Sequence, residues 1–109
     1  MGNLIARNKL LEESKERMSK LRTGDKVTNI SASESNPSKR CVFAAYLQEI
    51  DKNLYGLQYT NHYALCTDYS GNKLIIGVNS IHPGHLSDQE SNAIFDVLWD
   101  AEYGEGAAK

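Results

Sequence analysis

The chain has no apolar run approaching the ~18 residues needed to cross a bilayer, and it holds only two prolines and two cysteines among 109 residues. It has no glycine-rich phosphate loop, no Ser-His-Asp order, no paired carboxylates at a catalytic spacing and no nucleic-acid module. Each gap excludes a class. Without a long apolar run or a charged-then-apolar leader, the expectation is a soluble, cytoplasmic protein with no membrane partner. Cys41 and Cys66 lie in separate apolar segments rather than at the close spacings of metal and redox motifs, so they read as reduced, buried thiols. His62 and Cys66 are four residues apart on one strand face, about 13 Å, which is too far for a base to activate a nucleophile. His82 and His85 flank a Pro-Gly turn, an unconvincing spacing for zinc. No metal or cofactor is assigned, nucleic acid is disfavoured, and the chain reads as a binding protein rather than an enzyme.

What is present begins with an alternation. From Tyr55 to Leu65 the odd positions Tyr55, Leu57, Tyr59, Tyr63 and Leu65 are large, and the even positions are mostly small or polar. That is the period of a half-buried strand. Asp68 to Asn72 is a turn cluster, and Lys73 to Val78 is rich in β-branched residues. The two runs form a hairpin spanning about 54–81, and helices are expected to cover the tyrosine face, since monomers seldom leave large apolar patches bare. Tyr69, at the hairpin tip, is expected to be exposed.

Helical patterns surround the hairpin. At about 3–21, Leu4, Leu11 and Met18 recur every seven residues, flanked by Leu10 and Leu21. So thin a seam suits one neighbour, either a coiled-coil partner or a sheet that the helix covers as a lid. Thr23-Gly24-Asp25 stops this helix, and Lys26 to Ser31 is a weakly patterned strand. Asn36 and Pro37 read as a helix start, with Phe43, Tyr46, Leu47, Ile50 and Leu54 as the apolar stripe of a second helix over 37–53. A strand from Cys41 to Leu47 competes with that reading, and the helix is preferred. Ile81 to His85 reads as a turn. Ser87-Asp88-Gln89-Glu90 is a capping box opening a third helix over 88–103, with Ile94, Val97, Leu98 and Ala101 inward, Phe95 and Trp99 widening the stripe, and Gly104 at its end. The fold class is therefore α+β, a small antiparallel sheet with helices. Residues 23–104 form one domain, 1–22 an amphipathic oligomerisation arm, and 105–109 a disordered tail.

Charge divides the chain. Residues 1–40 hold nine Lys or Arg against five Asp or Glu, and residues 41–109 hold three against nine. The two parts are electrically complementary, which favours docking of one on the other within or between subunits. The functional expectation is a small non-catalytic regulator or inhibitor of a protein partner, itself a homo-oligomer, with Leu4, Leu11, Met18 and Tyr69 as partner-binding residues. The alternative is an oligomeric binder of a small anionic ligand such as a nucleotide. Ser35, Asn36, Ser38, Lys39 and Arg40 would hold that ligand at the start of the second helix, where a basic pair meets the positive end of the helix dipole.

Overall fold

The structure is a computed structural model and describes residues 4–103. The expectations for the side chain of Leu4, for Gly104 and for the tail at 105–109 lie outside the described residues. In order the elements are α1 (Leu4–Lys20), β1 (Lys26–Asn29), β2 (Arg40–Lys52), β3 (Gln58–Asp68), β4 (Lys73–Gly77), a 3-10 turn (Val78–Ser80), β5 (Ile81–Pro83) and α2 (Asp88–Tyr103). The strands make one five-stranded sheet in the order β4-β3-β2-β1-β5, with every neighbouring pair antiparallel. The α+β class expected from the sequence is the class observed.

The sheet cannot be flat. Only the three residues of the 3-10 turn separate β4 from β5, and four Cα-to-Cα steps reach at most about 15 Å. Four strand spacings in a flat sheet would place those edges about 19 Å apart. The sheet therefore curls until its two edges approach. Its concave face buries Val27, Cys41, Phe43, Ala64, Cys66, Val78 and Ile81, and α1 lies over this face as a lid, with Met18 buried in the core and Leu11 and Leu21 packed against it. A polar clamp fixes the lid. Arg17 Nε donates to the Ile81 carbonyl (3.2 Å) and Arg17 Nη2 to Ser14 Oγ (3.0 Å), while the Ser14 hydroxyl donates to Asn79 Oδ1 on the 3-10 turn (2.6 Å). Ser14 is fully buried, so its hydroxyl needs those partners.

Four expectations are corrected. The helix over 37–53 does not form, and its residues make the long strand β2. The pairing register shifts between Phe43 and Ala45, a bulge that puts one extra residue into the strand. Inward positions therefore run Cys41, Phe43, Tyr46, and the wider last step resembles helical spacing. The second correction concerns Ile81 to His85, where Ile81–Pro83 is strand β5, paired with β1, and the chain turns only at Gly84, whose φ of 80° suits glycine. Third, α2 buries Ser91 and Leu98 and half-buries Ile94, Phe95 and Ala101, whereas Val97 and Trp99 face solvent. Last, the tyrosine face of β3 is the outer face. Ala64, Cys66 and Asp68 are the buried positions, and Tyr59 is exposed.

Candidate functional sites: an apolar arm and a polar cleft

The strands β2 and β3 outrun their neighbours. β1 pairs with β2 only at Arg40 to Val42, and β4 pairs with β3 only from Tyr63 to Thr67. Beyond that base, residues 48–62 form a two-stranded arm, laddered from Gln48 opposite His62 to Lys52 opposite Gln58. Asn53 builds its tip, with Oδ1 accepting from the backbone N-H of Tyr55 (2.8 Å) and of Leu57 (3.1 Å), and Gly56 supplies a φ of 79°. This turn directs side chains into solvent. Leu54 is 100% exposed and Tyr55 88%, and Ile50, Leu57 and Tyr59 are exposed beside them. The sequence signal for the tip was Asn53-x-x-Gly56 between two apolar runs, and the helical reading of the first run concealed it.

Beneath the arm's inner face lies a cleft of about 400 Å³, formed by Arg7, Asn8 and Leu11 of α1, by Thr60 to His62 of β3, and by the segment from Gly77 to Ser80. Among the described residues no carboxylate lines it. His62 is held by stacking on Tyr46, with centroids 6.0 Å apart, and by a hydrogen bond between its Nδ1 and the Tyr46 hydroxyl. Gln48 Nε2 donates to that same hydroxyl (3.0 Å).

The anion site expected at Ser35, Asn36, Ser38, Lys39 and Arg40 loses its helix. In its place Asn36 Oδ1 accepts from Ser38 N (2.9 Å) and Ser38 Oγ (2.8 Å), a local turn that satisfies its own groups. Ser35 is exposed, and Lys39, at 2% exposure, is enclosed. The anion that faces the basic pair is Asp88, in the first turn of α2. Its Oδ1 lies 3.8 Å from Lys39 Nζ and 3.7 Å from Arg40 Nη2, and the same carboxylate sits favourably at the helix N-terminus. Arg40 Nη2 also donates to the Leu86 carbonyl (3.0 Å). The cluster thus anchors α2 to the sheet.

Of the expected partner residues, Met18 is buried and Leu11 packs on the core, so the seam of α1 is spent on its own sheet. Tyr69 is exposed as expected, and its ring meets His85 edge-on with centroids 5.6 Å apart. The ring of His82, largely buried and near the Arg17 guanidinium, has its pKa pushed down to about 4, first by burial and then by that charge. Among the described residues no group of three or more His, Cys, Asp or Glu is placed to hold a metal ion, and no helix is long and apolar enough to cross a membrane.

Fold and sites together define an α+β protein whose curled antiparallel sheet extends into an apolar arm. In comparisons with known proteins, no family model, no curated protein and no solved structure matches the chain.

Proposed function

We propose that this is a small non-catalytic binding protein that regulates or inhibits a protein partner, and that the arm is what it inserts. The carrying observation is the set of large apolar side chains Leu54, Tyr55 and Leu57, exposed together at the tip of one 15-residue projection, with Ile50 exposed on its inner side. Leaving such a patch in water is unfavourable, and contiguous exposed apolar surface is characteristic of contact sites. Aromatic and aliphatic anchors on a projecting element are what a pocket on another protein receives. The free backbone edges of the arm add hydrogen-bonding groups for strand addition. A photo-crosslinking residue at Tyr55 tests this. It should capture a defined partner that unlabelled native chain competes away and that Leu54→Ser with Leu57→Ser no longer competes for. Capture unaffected by that double variant, or turnover of a substrate by the purified chain, defeats the reading.

A second reading rests on the cleft. With Arg7, Asn8 and His62 in its lining, and no carboxylate there among the described residues, it suits a small anion such as a phosphate monoester, at a size usual for small-molecule sites. Titration with adenosine monophosphate should shift the amide resonances of Thr60 to His62 and of Val78 to Ser80, and Arg7→Glu should abolish those shifts. Shifts confined to Lys39 and Arg40, or none at all, remove this reading.

A further inference from the structure

We propose that the outer face of the sheet is where two copies of this chain meet, stacked face to face with their strands antiparallel in a two-fold dimer. Residues directly opposite each other in an antiparallel ladder share a face, so the register gives the composition of this one rung by rung. The rung of Thr28, Arg40 and His82 is covered by the segment from Gly84 to Leu86, and the first open rung is Lys26, Val42, Thr67 and Lys73. Past the bulge come Ala45, Leu65 and Ile75, then Leu47, Tyr63 and Gly77. The rungs on the arm are Glu49 with Asn61 and Asp51 with Tyr59. Over about 30 Å of strand the face therefore reads cationic, apolar, anionic.

Three observations show that this pattern is left unanswered among the described residues. Lys26, Lys73, Glu49 and Asp51 are all exposed, and among the described residues none of them forms an ion pair. Ile75, on the edge strand β4, is 64% exposed in the apolar part of the face. Val42, Ala45, Leu47, Tyr63 and Leu65 are half-buried and take no part in the core cluster, which lies on the side of the opposite face. A chain cannot fold its two charged ends together, because extended strands hold them apart.

A second copy answers all three. Stacking the faces with strands parallel would set lysines over lysines and carboxylates over carboxylates. Turning one copy end for end sets each carboxylate pair over a lysine pair and the apolar middle over itself. A pattern that complements its own reversal is what an isologous two-fold contact requires. Exposed ion pairs contribute little each, so the apolar middle drives association and the charges select the orientation. The apolar tip at Leu54, Tyr55 and Leu57 lies beyond the last rung, so the dimer stands or falls separately from the binding role of the arm.

Sedimentation of the full chain from micromolar to millimolar concentration, with two charge-reversal variants, tests this. The native chain should show a monomer–dimer equilibrium. Lys26→Glu with Lys73→Glu makes the face anionic at both ends, and Glu49→Lys with Asp51→Lys makes it cationic at both ends, so each variant should dimerise roughly tenfold or more weakly alone. An equal mixture of the two should recover a heterodimer with both ends matched. Ile75→Glu should abolish association in every background, with circular dichroism confirming the fold. A native chain monomeric at millimolar concentration overturns the proposal. So does a dimer indifferent to these substitutions, or a mixture of folded variants that stays monomeric.

Discussion

At their base β2 and β3 bury Cys41, Phe43, Ala64 and Cys66 beneath α1, whereas a few residues further along the same two strands expose Ile50 and Tyr59 and, at the turn, Leu54, Tyr55 and Leu57. Backbone geometry is continuous from one region to the other, so the contrast comes from what lies alongside. The base has neighbouring strands on both edges, a helical lid and a closing 3-10 turn. The arm has a single ladder, and an isolated two-stranded ribbon is at best marginally stable in water. Stability thus resides in the base, and the arm is carried by it. Apolar residues in the two regions do different work, holding the fold in one and remaining available for contact in the other.

The sharpest way to break this comparison is substitution of equivalent chemistry in both regions. Phe43→Ala should destabilise the protein by about 3–5 kcal/mol, as large-to-small changes in packed cores do, measured by urea unfolding. A loss below about 1 kcal/mol would mean that the base is not the stable half. A smaller effect comes from His82. Its folded pKa of about 4 lies below the ordinary 6.5, so the fold favours the neutral ring. Above pH 6.5 neither state is charged and nothing is lost. As pH falls from about 6.5 to about 4 the unfolded chain takes up a proton that the folded chain resists, and stability declines. Below that window both states are protonated and the loss is constant. With the ring partly exposed, the loss should be on the order of 1–2 kcal/mol, and unfolding of His82→Gln across this pH range should lack that part of the slope.

Next in size is the capping box of α2, where Glu90 N donates to Ser87 Oγ (3.2 Å) and Ser87 N to Glu90 Oε1 (3.1 Å). The bond from the Ser87 backbone N-H, with the Ser87 side chain, holds the Glu90 carboxyl below its usual range, and Ser87→Ala should cost about 1 kcal/mol in thermal or urea unfolding. The smallest effect belongs to the arm. Leu54→Ser with Tyr55→Ser should change stability by no more than about 0.5 kcal/mol, because these side chains are exposed in the folded chain. A large loss on this double variant would place the arm inside the stable unit.

The sequence showed the elements where one period ran undisturbed. The turn at Asp68 to Asn72 and the capping box of α2 appear where they were read, and the alternation is strand from Gln58 onward, its first members Tyr55 and Leu57 falling in the turn of the arm. β2 was obscured by its bulge, since one extra residue after Phe43 turns a period of two into a mixture that helical spacing also fits. The inner face of β3 was obscured by size. Ala64 and Cys66 fill it because Phe43 beside them on β2 and Met18 of α1 above them supply the bulk, so the large tyrosines point outward, against the rule that large means buried. Lys39 and Arg40 were read at the start of a helix that does not form, and which carboxylate folds back to them depends on tertiary packing. The cleft, assembled from three separated segments, left no local trace.

The two cysteines make the closed base a clock. Both are completely buried at neighbouring positions of the inner face, and alkylating reagents attack the thiolate. Burial, with the nearby Asp68 charge, pushes the Cys41 thiol up, and burial with the adjacent Cys41 pushes Cys66 up to about 12. At neutral pH the closed protein therefore presents almost nothing to react. Each labelled molecule records one occasion on which the lid lifted or the sheet parted. The rate at which label accumulates reads out how often that happens, and charge reversals on the outer face, which leave the core intact, should not change its tempo in the monomer.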